Sequence, residues 1–242
     1  MVKYEMTEEF ASLKDFDTPT VTNAVATYPM NKDCLALYNP WKGKWYSDQT
    51  LKCMYPELGR RFGYVVTAVY GPVDPSFPSR YTLYDILKAI EDSPKPVVLA
   101  IKQNFPEDMK GINGLAGGMM CSSFKALGCE AVISDGPSRD LNEIRDFDIQ
   151  YMLTGTTAGH GTFQIDAINV PVDICGMEVA PGDIVHMDEN GAVKFPADKL
   201  HEVVENCKSI LSAEADKQQR ILASTTAEEV WGIFTGSAYG KK

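Results

Sequence analysis

Three short apolar runs constrain this chain most. They are Val97-Val-Leu-Ala-Ile101, Ala131-Val-Ile133 and Tyr151-Met-Leu153, and they alternate with glycine-bearing turns and helical stretches. The first run is nearly uninterrupted, as a strand buried on both faces should be. After it, Gly117-Gly118 leads into a helical stretch from Met119 to Leu127, which Gly128 ends. After the second run, the turn Asp135-Gly136-Pro137 leads into a helix over 140–146. This alternation predicts a layered α/β fold, with ligands bound where strands run into helices.

The flanking regions are read in the same way. Acidic residues at Glu8 and Glu9 suit the first turn of a short helix. Thr18 is expected to cap a second helix that begins at Pro19. Residues 38–62 are aromatic and turn-rich, and two readings stay open: a loop folded over the core, or a lid or subunit contact. Tyr64–Tyr70 reads as a strand, 81–92 as a helix with an apolar face at Leu83, Ile86, Leu87 and Ile90, and 155–162 as a flexible loop. Short strands at 168–174, 177–179, 184–187 and 192–195 suggest a meander or small barrel-like unit. A long charged helix over 197–222 carries an apolar side at Leu200, Val203, Val204, Cys207, Ile210 and Leu211, and a helical segment follows over 225–234.

At 242 residues the length fits one large domain or two small ones, and can bury roughly 70% of the unfolded surface. No linker can be placed, so one unit over 1–242 is expected, with its core at about 15–222. The net charge of −10 argues against nucleic acid as a partner and leaves any anionic substrate to local positive groups. Six scattered cysteines form no C-x-x-C pair, which points to buried thiols in a reducing compartment. The N-terminus has no long apolar run, and no window approaches the ~20 apolar residues of a membrane span. The expected location is cytoplasmic. There is no P-loop and no strand-borne G-x-G-x-x-G.

The chemistry concentrates in the two glycine turns. N–H groups at Gly118, Met119 and Met120 precede a helix and can bind a carboxylate, or Gly117-Gly118 is simply a tight turn. Arg139 can grip a carboxylate through two parallel hydrogen bonds, or pair with Asp140, Glu143 or Asp146 at the surface. Asp140 can hold Mg²⁺ or Mn²⁺, or serve only as a helix N-terminal acid. Asp135 is open between orienting Arg139 or a metal water and capping a turn. His160 reads as a solvent-exposed loop residue that could cover the site, and His186 and Asp188 as hairpin residues that could flank a metal.

The order Gly118, twenty residues, Arg139-Asp140, two residues, Glu143 resembles the signature of the class II pyruvate aldolases. These are the 4-hydroxy-4-methyl-2-oxoglutarate / 4-carboxy-4-hydroxy-2-oxoadipate aldolases, related to the regulator of ribonuclease activity A. Asn169-Val-Pro-Val and Pro181-Gly-Asp-Ile-Val extend the likeness over roughly residues 97–200. The resemblance implies a layered α/β sandwich like the swivelling phosphohistidine domain, with N-terminal helices and a long C-terminal helix. It implies homotrimers or homohexamers with sites at subunit interfaces.

It further implies a small 2-keto acid substrate, held by Arg139 and the backbone at Gly117, Gly118, Met119 and Met120. Asp140 would bind a divalent metal, Mg²⁺ or Mn²⁺, with Glu143 supporting its water shell. Arg139, Asp140 and Glu143 would then be the catalytic set of a metal-dependent lyase. That lyase would cleave a 4-hydroxy-2-oxo acid to pyruvate by retro-aldol chemistry, with oxaloacetate-type decarboxylation as a second reaction. A neighbouring subunit's C-terminal helix would supply an acid, Glu214 ahead of Glu205. The same relationship allows a non-catalytic regulator that binds a ribonuclease or another basic protein through the acidic surface. The chain departs from the pattern in its bulkier Met119-Met120 pair, in the Trp41–Trp45 region, and in its longer C-terminus.

Overall fold

The computed structural model describes residues 2–28 and 32–236. Helices α1 (Glu8–Ala11) and α2 (Thr18–Val25) precede β1 (Lys52–Cys53). Then come β2 (Arg61–Pro72), α3 (Leu83–Asp92), β3 (Val97–Gln103), α4 (Gly118–Ala126), β4 (Cys129–Ser134), α5 (Leu141–Asp146) and β5 (Gln150–Leu153). Strands β6 (Phe163–Ile168), β7 (Val172–Ile174), β8 (Met177–Val179), β9 (Ile184–Asp188) and β10 (Gly191–Phe195) lead to α6 (Leu200–Leu222) and α7 (Ala227–Phe234).

The main sheet runs β1-β5-β4-β3-β2-β9-β10, with β6 also paired on β2. Strands β2 to β5 are parallel, joined through α3, α4 and α5. β2 is the spine: one edge pairs with β3, while the other pairs antiparallel with β9 near its start and with β6 near its end. Alternation along β3 explains its apolar run. Val97, Leu99 and Ile101 pack under α3, α4 and α5, beside Ile86, Ile90, Phe124 and Ile144. Val98 and Ala100 face the opposite way, against Ile174, Met177 and Met187. A third cluster packs α1, α2 and α6 on β9 and β10, through Phe10, Leu13, Val21, Ile184, Phe195, Val203 and Cys207. Each such buried side chain contributes about 1.5–3 kcal/mol of transfer free energy.

Several expectations are corrected. Asp17, not Thr18, caps α2: its carboxylate accepts from the Thr20 N–H, and Thr18 is already helical. The strand expected over 168–174 is broken at Asn169, which turns into the left-handed region at φ 53°. β6 lies before that break and covers Ile168 together with residues 163–167, for which no element is expected. The presumed meander is not a unit apart, because β9 and β10 extend the main sheet and only β7–β8 stands separately. Leu211 is on the exposed side of α6.

The aromatic segment is a strap. Ser47 N–H donates to Ala192 and Lys194 N–H to Trp45, so this stretch lines the free edge of β10. Asp48 N–H donates to Cys175, and Glu178 N–H to Lys44, which ties the same stretch to the β7–β8 hairpin. Trp45 is buried and stacks on Tyr38. The strap then enters β1 on the opposite edge of the sheet, bringing it close to a barrel.

Candidate functional site

Three loops leave the carboxyl ends of β3, β4 and β5 and meet at Ser138. Its N–H donates to Gly155 and its carbonyl accepts from Thr157. Its hydroxyl accepts from the Ala116 N–H at 3.3 Å and donates to the Ala116 carbonyl. The Tyr151 hydroxyl, from β5, reaches both the Ala116 carbonyl and Ser138 Oγ. Burial pushes the Tyr151 phenol well above its usual range, so it stays a proton donor. A trans peptide points its C=O and the following N–H in opposite directions. With the Ala116 carbonyl clamped inward, the Gly117 N–H faces out. Among the described residues, the N–H groups of Gly117, Met119 and Met120 have no acceptor within the protein. They are the open donors of the α4 N-terminus.

Asp140 caps the start of α5 in the left-handed conformation, φ 61° and ψ 33°. Asp tolerates this region better than most residues, though at some cost in strain. Its carboxylate does not serve α5. Oδ2 accepts from the Gly118 N–H at 2.9 Å and lies 3.6 Å from Arg139 Nε. Glu143, one turn further on, also faces α4. A Cβ added to Gly118 would stand 2.4 Å from the Glu143 carboxyl carbon, and one added to Gly117 would stand 2.5 Å from Asp140 Oδ2. The two glycines are therefore needed to admit two carboxylates, beyond leaving room for a ligand. Tyr55 fixes α5 from behind, its hydroxyl donating to the Leu141 carbonyl at 2.5 Å.

The resulting cavity, about 190 Å³, brings Gly117, Gly118, Met119, Met120, Arg139, Asp140 and Glu143 together. Leu115, His160 and Phe163 complete its walls. His160 is exposed yet lines the mouth. Phe163 lies in a stretch, 163–167, for which no element is expected from sequence, although Phe-Gln-Ile-Asp alternates as a half-buried strand does. Ser138 and Tyr151 carried no recognisable signal, since their role depends on contacts between three loops. A larger cavity, about 410 Å³, lies against the β7–β8 hairpin beside Asp173, Glu178 and Lys194. Its cation already pairs with Asp183, and Glu178 pairs with Lys44, so it offers no comparable set.

Other expected residues lie elsewhere. Asp135 does not orient Arg139 and caps no turn; it pairs with Lys102 at 2.6 Å and accepts from the Gln103 N–H at 2.8 Å. Burial raises its carboxyl above the usual range, against the pull of Lys102. His186 and Asp188 belong to the β9–β10 hairpin, as expected, and are occupied there. His186 bonds Thr18 Oγ1 at 3.0 Å and the Leu13 carbonyl at 3.1 Å, while Asp188 accepts from the Thr18 N–H at 2.7 Å. Glu205 and Glu214 do not line the cavity; Glu205 pairs with Lys208 on α6. No residue of 38–62 lines the cavity. Burial pushes the Cys121 thiol up to about 12, so it is not a thiolate nucleophile. Among the described residues no helix is long and apolar enough to cross a membrane.

The architecture is a mixed α/β near-barrel with a long C-terminal helix, and its cavity opens at the ends of the parallel strands. Residues 19–194 match the RraA-like family, described as Aldolase/RraA, and the chain belongs to that family. An uncharacterized protein of Methanocaldococcus jannaschii is 32% identical over 118 residues, 48% of this chain and 57% of its own length. A Halalkalibacterium halodurans protein, provisionally named 4-hydroxy-4-methyl-2-oxoglutarate aldolase, is 29% identical over 139 residues, 56% of this chain and 61% of its own length. Each match thus spans less than two-thirds of the relative. The crystal structure of Streptomyces coelicolor RraAS2, described as an unusual member of the RNase ES inhibitor RraA family, superposes with a TM-score of 0.67 at 21% identity. That superposition covers 91% of this chain and 100% of the other, and it bears on the fold alone.

Proposed function

We propose that the chain is a divalent-metal-dependent lyase that cleaves a 4-hydroxy-2-oxo acid to pyruvate. One observation carries the reading: Asp140 and Glu143 converge on the Gly117-Gly118 backbone beside Arg139, where three N–H groups stand open. The aldolase name carried by the Halalkalibacterium relative fits it.

The residues suit a divalent cation of the Mg²⁺ or Mn²⁺ type. Such ions take one or two carboxylates and leave other positions to water and substrate. Asp140 Oδ2 is engaged by Gly118, and Oδ1 has no partner among the described residues. Asp140 would hold the metal, with Glu143 beside it. When bound, the metal supplies Lewis-acid stabilisation of charge developing on the 2-keto oxygen.

The chain's own groups do the rest. The N–H groups of Gly117, Met119 and Met120 and the Arg139 guanidinium bind the substrate carboxylate. With the substrate anchored there, the bond to be broken is C3–C4. As that bond breaks, the 4-hydroxyl loses its proton and C3 gains one. The apolar walls from Leu115 and Phe163 limit water at the reacting carbons. An oxaloacetate-type acid would lose CO₂ through the same electron flow, without the hydroxyl proton. Assembly as a trimer or hexamer belongs to the same proposal, and would let Glu214 or Glu205 approach a neighbour's site.

The test is pyruvate release from 4-hydroxy-2-oxo acids with Mg²⁺ or Mn²⁺, with and without chelator. Metal-dependent release that is lost in Asp140→Ala is expected. Metal-independent turnover, or full activity in Asp140→Ala, would overturn the reading.

A further inference from the structure

The parallel strands run toward the Arg139 cavity, and a second cavity lies at the other end of the sheet, where they begin. It measures about 270 Å³ and opens between the N-terminal segment, the start of β2, Pro96 just before β3, the start of β4, and Asp148 just before β5. Tyr4, Met6, Phe62 and Pro96 supply its apolar walls. Lys14, Arg60, Arg61, Glu130 and Asp148 supply its charges. We infer that this cavity binds a small phosphate monoester with an aromatic or apolar body. The inference goes beyond the lyase reading and does not depend on it.

The charges favour an anion because the two acids are already satisfied. Glu130 accepts from the Tyr4 hydroxyl at 2.9 Å and pairs with Lys125 at 2.7 Å. Asp148 pairs with Arg61. Among the described residues, Lys14 and Arg60 have no carboxylate partner, and the Arg60 side chain donates only to the Lys14 carbonyl, at 3.0 Å. Two unpaired cations thus meet at one cavity on a chain of net charge −10. They match a phosphate monoester, which carries a charge of about −1.5 to −2 at neutral pH. A guanidinium and an ammonium are the usual donors to such a group. Arg61 adds a further donor. Its terminal nitrogens serve the Leu58 and Arg60 carbonyls and Asp148, while Nε is buried without an acceptor. Buried donors are rarely left so, and a ligand oxygen would supply the acceptor.

A competing use for these cations is to offset the negative carboxyl ends of α3, α4 and α5, which point to this side of the sheet. Other lysines do that work. Lys95 donates to the Ser93 carbonyl at 2.7 Å and to Glu91 at 3.1 Å, and Lys125 donates to the Asp148 carbonyl at 2.7 Å. Lys14 and Arg60 remain available. The walls set the rest of the ligand. Phe62 is held edge-on to Phe10 at 5.4 Å and lies parallel to the His186 ring within 8°. A fixed ring beside Met6 and Pro96 suits a flat apolar body better than a bare anion.

The probe is phenyl phosphate, titrated by calorimetry into the full chain in phosphate-free buffer of low salt. Binding with Kd below about 1 mM is expected, tighter than inorganic phosphate by about tenfold because the ring covers apolar wall. Lys14→Gln/Arg60→Gln is expected to weaken phenyl phosphate by about tenfold or more. Lys42→Gln/Lys217→Gln removes the same charge from elsewhere on the surface, and Arg139→Gln removes the cation of the other cavity. Each of these is expected to leave Kd within about twofold. Lys14 is exposed, so Lys14→Gln alone, expected to weaken binding by about threefold or more, keeps the test valid if the double variant misfolds. The inference is overturned by an absence of binding, by loss of binding in Arg139→Gln, or by equal weakening in the two double variants. Inorganic phosphate binding as tightly as phenyl phosphate also overturns it. None of these outcomes bears on pyruvate release, so the lyase reading stands or falls separately.

Discussion

The carboxylate of Asp140 accepts a hydrogen bond from the Gly118 N–H at 2.9 Å, so the residue that opens α5 caps α4. Two helices that follow different strands are thereby joined at their N-termini. The open donors of α4 and the carboxylates of α5 are held in one frame.

That frame predicts a split between stability and activity in Gly118→Ala. Gly118 has ordinary helical backbone, and Ala is the better helix former by about 1 kcal/mol. The new Cβ meets only the far end of Glu143, which can swing away. Tm is expected to stay within a few degrees, while kcat/KM falls by about a hundredfold as Glu143 leaves its place. Calorimetry of unfolding alongside steady-state kinetics checks both halves.

Arg139→Lys keeps the charge and loses the planar two-pronged donor. At a site that reads a carboxylate, kcat/KM is expected to fall by about 10–100-fold, mainly through KM. The side chain is partly exposed, so the Tm should hardly move. A Lys variant with wild-type kinetics would remove Arg139 from carboxylate binding.

Tyr151→Phe deletes one of two hydroxyls that grip the Ala116 carbonyl. A buried hydrogen bond lost in this way costs about 1–3 kcal/mol, readable in urea unfolding. Ser138→Ala is expected to cost more, because it also strips the acceptor from the Ala116 N–H. Both should lower activity without touching substrate, since the Gly117 N–H loses its enforced direction.

His186 predicts an acid-sensitive attachment of the N-terminal helices. Burial lowers its pKa from the ordinary 6.5 to about 4, the largest of several influences. A proton on Nδ1 would remove the acceptor used by Thr18 Oγ1. Its contribution is therefore complete above about pH 6.5 and is lost as pH falls toward 4, by roughly 3 kcal/mol in total. Unfolding free energies of wild type and His186→Gln, measured from pH 7 to 4.5, should converge at the acid end. Parallel curves would show that His186 is not the group responsible.

The parallel layer could be read from sequence because period and punctuation agree there. The β3 run is buried on both faces, and both glycine turns fall at strand ends. Arg139, Asp140 and Glu143 were legible as a set because five residues of sequence hold all three. What could not be read depends on partners far along the chain. Trp45 looks like a surface aromatic until Lys194 pairs with its carbonyl, and Asp135 looks like a turn residue until Lys102 reaches it from the neighbouring strand. The cap at Asp17 was misplaced by one residue because Thr18 is an equally good capping residue by type. Its hydroxyl faces His186 instead.

The strap has a consequence for the order in which the molecule can be assembled. Its partners, Cys175, Ala192 and Lys194, leave the ribosome about 130–150 residues after it does. The pairings of strands β2 to β5 with one another span shorter separations, so this parallel layer can organise while the strap is still unpaired. Until β10 arrives, Trp45 and its stacked Tyr38 are exposed apolar surface on a nascent chain. The step that closes the sheet is therefore also the step at which the newborn protein stops being vulnerable to aggregation there.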